Sequence, residues 1–416
     1  MSKDTGSGGG VYTRQNFLSM YLPSITLAIG TGIVIPALPV YARNFGVPFE
    51  VASLVLVAQQ VGTTLASLPA GLLMDRFGRR KVVLSGPVVL ALSSLLMVTA
   101  QSFPELLAYR FLAGVGQQMW HLGRLTIIAD TGADRERGRQ ITTMSAMESS
   151  GRLLSPALGG FLAAYWDIRA PFVIHAILCL IAIIPSFKLI RETAPHLAAG
   201  AARTVQKTAD AGWGALFTFA VVIFFVAQFL ASLTRGPIFS GQINLYGAYI
   251  YDLGPETIGL LATAVTAVSI PIGLASGWIM DKYGRKATLV PGFLLLTVAL
   301  VCIAVTAYVD VPFEVFIAAY LGVHASNSIT GGNMQTLGSD IAPTNARGRF
   351  YGVWQTLGNV GSPISTSLFA VLSATVSYWA AFGAIALMAA GTAFILATLV
   401  HDRLRDKPAT AVASAA

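Results

Sequence analysis

The chain has 416 residues, of which 55% are hydrophobic and only 11% are charged. Soluble domains carry about 25% charged residues, so this composition excludes an ordinary soluble domain and points to a polytopic membrane protein. The formal net charge is +8, but the basic residues are spread among short loops, which argues against a nucleic-acid partner and for the anionic lipid surface.

A membrane-crossing helix needs roughly 20 mostly apolar residues. Twelve such spans follow one another, near residues 17–40, 51–74, 82–101, 105–129, 140–165, 171–189, 214–240, 257–280, 287–308, 314–338, 350–375 and 379–400. Residues 1–16 read as a flexible cytoplasmic tail. The first span is longer than a signal-peptide core and lacks a small-residue cleavage site, so it is expected to be retained. The longest polar interruption, residues 190–213, reads as a cytoplasmic linker, and residues 401–416 as a second tail. The expected domains are therefore two six-helix bundles, over 17–189 and 214–400. With a cytoplasmic N-terminus, the cytoplasmic segments hold 21 of the 27 Lys and Arg residues, and the outer loops hold only Arg43 and Arg169. That bias puts both termini in the cytoplasm. Cys179 and Cys302 both lie in apolar spans, at a spacing that indicates neither a disulfide nor a metal site.

Between the second and third spans lies Gly71-Leu72-Leu73-Met74-Asp75-Arg76-Phe77-Gly78-Arg79-Arg80-Lys81. Between the eighth and ninth lies Gly277-Trp278-Ile279-Met280-Asp281-Lys282-Tyr283-Gly284-Arg285-Lys286. Both read G-x-x-x-D-[RK]-x-G-R-[RK], with aspartates 206 residues apart. Gly71 and Gly277 are expected to let a neighbouring helix approach closely. Gly78 and Gly284 permit a tight turn at positive φ. Asp75 and Asp281 are placed to satisfy basic groups or the free N–H groups of a helix start. A second repeat agrees: Asp130 precedes Arg137-Gly138-Arg139, and Asp340 precedes Arg347-Gly348-Arg349, 210 residues later. Parallel repeats of this kind imply two bundles with a substrate site between them near the midplane.

A charged hairpin between apolar helices, present once per half, resembles the signature loop of major facilitator superfamily (MFS) transporters. The resemblance covers essentially the whole chain. It implies an all-α integral membrane fold of twelve transmembrane helices in two pseudo-symmetric six-helix bundles. It also implies a multi-pass protein of the cell membrane, taken to be a bacterial inner membrane, working by alternating access. Protons and a small molecule are the expected partners, the proton gradient is the energy source, and no cofactor or oligomer is expected. By the same resemblance, Asp75 anchors a contact between the halves that holds one face of the cavity closed.

Two further motifs carry mechanism. Span four contains Tyr109-Arg110-Phe111-Leu112-Ala113-Gly114-Val115-Gly116-Gln117, similar to the family's R-x-x-x-G-x-G element, whose arginine is implicated in proton transfer or substrate contact. An arginine inside a span must pair, face a wet cavity or snorkel outward, and Arg110 is near enough to the outer end to snorkel. Span five contains Gly151-Arg152-Leu153-Leu154-Ser155-Pro156-Ala157-Leu158-Gly159-Gly160, which looks like the G-P-x-x-G-G motif of drug/proton antiporters, with Ser155 replacing its first glycine. Pro156 is expected to bend the helix, and Gly159 and Gly160 to pack closely.

Polar residues mark the candidate substrate cavity: Gln117, Gln118 and His121 in span four, Gln228 and Arg235 in span seven, His324 and Asn327 in span ten. Gly236-Pro237 is expected to break span seven. Of 19 Asp and Glu residues, only Glu148 lies well inside a span. Burying it ionised is expensive, so it is either the proton carrier or one half of a permanent ion pair. Arg152, four residues further on, and Arg124 on span four are its candidate partners. Together with Arg110 these form the expected coupling set. The apolar character of spans one and two favours an amphipathic, drug-like substrate exported against protons. The competing expectation is a proton symporter taking up a sugar or organic anion. Absence of a nucleotide-binding loop, metal-ligand cluster or nucleophile motif argues against an enzyme or an ATP-driven pump.

Overall fold

The computed structural model describes residues 17–131, 134–190, 192, 213–309, 311–343 and 347–399. Side chains are described throughout these except at 129–142, 145, 213, 215, 347 and 348. The proposed tails, most of the linker and the Arg137-Gly138-Arg139 and Arg347-Gly348 side chains lie outside the described set.

Twelve long α-helices follow in order among the described residues: α1 Leu22–Arg43, α2 Phe49–Phe77, α3 Arg79–Thr99, α4 Phe103–Thr131, α5 Asp134–Tyr165, α6 Ala170–Leu189, α7 Phe219–Ser240, α8 Pro255–Tyr283, α9 Lys286–Thr306, α10 Phe313–Ile341, α11 Arg347–Thr375 and α12 Tyr378–Thr398. A π-helical turn, Phe17–Tyr21, leads into α1, a 3₁₀ turn, Trp213–Leu216, precedes α7, and a short helix, Gln242–Ile250, follows α7. Eight of the twelve are long and apolar enough to cross a membrane by length and composition. The other four, α4, α5, α10 and α11, are the helices that carry most of the polar and charged candidates. No membrane helix can leave its backbone polar groups unpaired in lipid, which is why a chain this apolar resolves into helices.

The connections obey local chemistry. Gly78 ends α2 at φ +95° and Gly284 ends α8 at φ +94°, so both motif copies make the same positive-φ turn that glycine adopts without strain. The break in span seven differs from expectation. The helix runs through Gly236 and Pro237 and ends at Gly241, which takes the left-handed conformation at φ +94°. Pro237 sits in the last turn, where it removes the N–H that would have bonded the Leu233 carbonyl, and the helix continues for only three residues beyond it. Gly236 is there for packing, since a Cβ would meet Ser362 of α11.

The described residues form two compact units. One contains the described residues up to Pro48, those from Ala58 to Val205, and Gly247–Thr263. The other contains Phe49–Val57, the described residues from Gln206 to Tyr246, and those from Ala264 onward. In the first, α1 packs on α5 and α6, and α3 on α4 and α6. In the second, α7 packs on α11 and α12, and α9 on α10 and α12. The pairing recurs six helices later, which is the pseudo-symmetry the repeats imply. α1 is buried on most sides, whereas α6 exposes Ile177, Leu180, Ile181 and Ile184. Lipid is as apolar as leucine, so such faces need no protein cover. Close approach comes from small residues instead: a Cβ on Gly86 of α3 would stand 2.8 Å from the Gly116 carbonyl oxygen of α4.

Candidate functional site

The first unit gathers the buried charges. Glu148, midway along α5, forms an ion pair with Arg124 of α4. Arg152, one turn further along α5, approaches the other carboxylate oxygen at 4.0 Å. Arg124 also donates to the Ser24 hydroxyl of α1 at 3.2 Å and lies 5.9 Å from the centre of the Trp120 ring. Its Nη2 is 3.2 Å from His121 Nδ1. A guanidinium cannot accept, so Nδ1 is the acceptor and any proton on a neutral His121 is at Nε2. Exposure ranks the three side chains: those of Arg124, Glu148 and Arg152 are 9%, 17% and 43% accessible. Glu148 is thus held between one sealed arginine and one reachable arginine.

A second polar chain lies on the same side of α4. Arg110 is buried and donates to Gln59 of α2, and the Gln59 amide then donates to Gln117 at 2.6 Å. Gln118 donates to the Ser67 hydroxyl of α2 at 2.9 Å. Arg110 therefore does not snorkel outward; its Nη2 is paired inside the protein, while its Nε is buried without a partner among the described residues. Gly62 and Gly114 make this possible, because a side chain on either would strike the facing backbone of α4 or α2.

The motif of span five behaves as expected of small residues. A Cβ on Gly151 would stand 2.9 Å from the Ile25 carbonyl oxygen, and one on Gly159 would strike the Ile33 backbone. Gly160 lies as close to the backbone of Pro255. Ser155 is buried against Gly32, and its hydroxyl has no hydrogen-bond partner among the described residues. α5 is continuous through Pro156, and Ala157 N–H donates to the Thr263 hydroxyl of α8 at 3.0 Å. Proline disturbs the helix ladder around it, and Thr263 takes up the N–H beside it.

The two hairpins are only partly as expected. Gly71 and Gly277 face open space among the described residues, and no described helix approaches closely at either. Asp281 reaches Arg285 at 3.5 Å, and Arg285 Nε donates to Asp340 at 2.8 Å, so the second copy uses its aspartate as anticipated. Asp75 is exposed, and the carboxylate at the α3 start is another one. Glu192, just beyond α6, accepts from the N–H groups of Arg79 and Arg80 at 2.9 and 3.2 Å. Those N–H groups have no partner within the helix, and an anion there also meets the positive end of its dipole. Asp75 sits in the last turn of α2, where the negative end of a dipole makes it a poor cap. Arg80 donates to the Phe187 carbonyl at the end of α6, 2.6 Å, and Lys286 to the Ala397 carbonyl at the end of α12, 2.8 Å. Each hairpin thus ties its third helix to the sixth of the same set.

In the second unit the charge cluster is gone. The 207-residue offset that takes Pro156 to Pro363 takes Glu148 to Gln355 and Arg152 to Asn359, and the 210-residue offset between α4 and α10 takes Arg124 to Met334. Gln355 and Asn359 face each other at 3.5 Å as a neutral pair. What remains is Arg235 of α7, which donates to Thr330 of α10 at 2.9 Å and lies 5.9 Å from the Phe293 ring centre. Gln228 and Asn327 each hold a buried side-chain oxygen without a hydrogen-bond partner among the described residues. The His324 ring is tilted at 56° against Tyr320, ring centres 4.8 Å apart. The structure therefore brings together Glu148, Arg124, Arg152 and His121, and separately Arg110 and Gln117. Ser24 and Thr330 give no sign in the sequence, and Glu192 reads there only as part of the polar linker. A hydroxyl leaves no periodic signal, but a lone carboxylate directly after a span in a basic segment was one for Glu192.

Comparison with known proteins decides the family. The Major Facilitator Superfamily model matches residues 21–366. The chain belongs to the major facilitator superfamily. Its MFS relatives include the quinolone resistance protein NorA of Staphylococcus aureus (strain MRSA252), 26% identical over 298 residues, or 71% of this chain and 74% of NorA. Multidrug resistance protein 2 of Bacillus subtilis (strain 168) is 24% identical over 368 residues, 84% of this chain and 88% of that one. Among solved MFS structures, a D-xylose–proton symporter superposes with a TM-score of 0.73 at 16% identity, covering 93% of this chain and 98% of the symporter. At that identity the likeness bears on the fold. The chain is thus a multi-pass MFS transporter with the all-α fold of twelve long helices in two pseudo-symmetric sets.

Proposed function

We propose that this transporter exports amphipathic small molecules in exchange for protons, by alternating access, with Glu148 as the proton carrier. The observation that carries the reading is the Glu148 carboxylate held between Arg124 and Arg152 in mid-helix, at a place where the second unit has only neutral residues. While Arg124 lies against it, the carboxylate is stable as an anion. Drawn away from Arg124 within a low-dielectric helix bundle, it holds its charge at high cost and takes up a proton instead. A transporter whose two states differ in that distance binds a proton in one and releases it in the other. His121, receiving a hydrogen bond from Arg124, is positioned to follow the arginine rather than the proton.

The export direction draws support from the small-residue motif of α5 and from the drug-resistance relatives. The 21-to-2 split of basic residues supports an orientation with both termini in the cytoplasm, and the bacterial relatives support the inner membrane. The test is reconstitution in liposomes with an imposed pH gradient and a panel of amphipathic cations, neutral compounds and anions, with sugars as the comparison class. Proton flux evoked by an amphipath and absent with every sugar is the expected result. Flux evoked by sugars alone would replace export with uptake.

A further inference from the structure

The four arginines within the helices are not equivalent. Arg110 is matched by the Gln59 amide, and Arg124 and Arg152 by the Glu148 carboxylate. Arg235 has a hydroxyl, Thr330, and the face of Phe293. Among the described residues it makes no ion pair, as Arg110 makes none, and its Nε, like those of Arg110 and Arg124, is buried without a partner. Yet the side chain is only partly covered, unlike the sealed Arg110 and Arg124. A cation held within a membrane protein without a counter-charge is expensive, and such a group is normally paired or faces a wet pathway.

Its surroundings are those of a half-made site. Gln228 is two turns from Arg235 on the same α7 face, about 10 Å along the axis. Asn327 is one turn from Thr330 on the same α10 face. Both amides present a buried oxygen that nothing in the described residues donates to. A fixed cation with idle acceptors further along the same helix faces is complementary to an extended molecule carrying an anion and, at some distance from it, an N–H or O–H group.

We propose that Arg235 is the anchor for a carboxylate on the transported amphipath, with Thr330 orienting the guanidinium and Gln228 or Asn327 accepting from a donor group of the same molecule. This names a substrate class for the export reading and rests on it. It requires that an amphipathic acid bind better than its neutral ester, because the ester lacks the charge that matches Arg235.

The experiment is equilibrium binding to the purified full chain in dodecylmaltoside, where no phospholipid competes, using the fluorescent acid dansylglycine and its methyl ester. The wild type should bind the acid at least about tenfold tighter than the ester, the size of one charge-assisted hydrogen bond. Arg235→Gln should lose that preference while keeping ester affinity, which also shows that the variant is folded. Arg235→Lys keeps the charge but loses the planar fork, and should keep part of the preference. Equal binding of acid and ester to the wild type overturns the proposal without any variant. So does a preference that survives in Arg235→Gln, or displacement of dansylglycine by short-chain phosphatidylglycerol and not by naphthoate. Transport under a pH gradient is scored separately in liposomes. Gradient-driven movement of neutral or cationic amphipaths without an acid preference in binding would leave the export reading standing and remove the anchor.

Discussion

Replacing Glu148 by glutamine separates the carboxylate's charge from its shape. The side chain keeps its length and one acceptor oxygen, so Arg124 can still donate to it, but the cation loses its counter-charge. Arg124 would be left with Ser24 and His121 at 3.2 Å each, and with an Nε that already lacks a partner. Removing one partner of a buried pair outright costs about 3–5 kcal/mol. The retained amide oxygen offsets part of this, so a loss of about 2–3 kcal/mol of stability is expected. Arg152 adds less than about 1 kcal/mol, since its side chain is 43% accessible and stands 4.0 Å away. The double substitution Glu148→Gln with Arg124→Gln removes the stranded cation and should recover about 1 kcal/mol or more, measured as a double-mutant cycle in detergent. The functional readout is separate: in liposomes, Glu148→Gln should lose pH-gradient-driven transport while keeping substrate binding and substrate–substrate exchange. Gradient-driven transport at the wild-type rate would show that Glu148 is a structural ion-pair partner and that the proton travels by another route.

Glu192→Ala should destabilise the start of α3 by about 1 kcal/mol, seen as faster amide exchange at Arg79 and Arg80, while Asp75→Asn leaves that exchange unchanged; equal effects would contradict the assignment of the cap. Gly159→Leu drives a side chain into the Ile33 backbone and should prevent stable folding, whereas Gly352→Ala in α11, where a Cβ meets open space, should be neutral or gain up to about 1 kcal/mol. A thermal melt of both variants in detergent separates these outcomes, and similar melts would show that α5 does not need the small residue. Cysteines placed at Lys3, Arg203 and Lys407 should react with an impermeant label only from the cytoplasm, and Asp310→Cys only from outside; cytoplasmic labelling at 310 would reverse the topology. Thr263→Val removes the acceptor of Ala157 N–H and should change transport rate with little loss of folded protein, read as initial rate against thermal stability.

The contrast between the two units bears on how coupling is divided. The α4–α5 pair holds Arg124, Glu148 and Arg152, and the corresponding α10–α11 pair holds Met334, Gln355 and Asn359. Internal repetition supplied the scaffold twice, and the ionisable chemistry was kept once. Arg235, on the other set of helices, has no carboxylate paired with it among the described residues, which is the basis for assigning charge recognition of the substrate to the second unit and proton binding to the first.

The sequence by itself determined the elements that rest on local physics. Spans are legible because lipid demands about 20 apolar residues with all backbone groups paired internally. The hairpin turns are legible because Gly78 and Gly284 recur at the same register and few other residues tolerate positive φ. Glu148 stood out because a carboxylate in the middle of an apolar run has no cheap explanation. The tertiary structure decided what depends on neighbours that are distant in the chain. Gly236-Pro237 reads as a break, but Gly236 is needed by Ser362 and the helix ends at Gly241, four residues later. Gly71 and Gly277 carry the strongest motif in the chain, yet meet none of the described residues, while Gly159, one glycine among many, lies on the Ile33 backbone. Arg110 and Arg235 look alike in sequence, each an arginine within a span. Only the packing of α2 against α4 gives Arg110 its Gln59, and only the packing of α7 against α10 leaves Arg235 with a hydroxyl. Periodicity records which way a residue faces on its own helix; the partner that it meets there is set by the approach of another helix, and no local pattern encodes that distance.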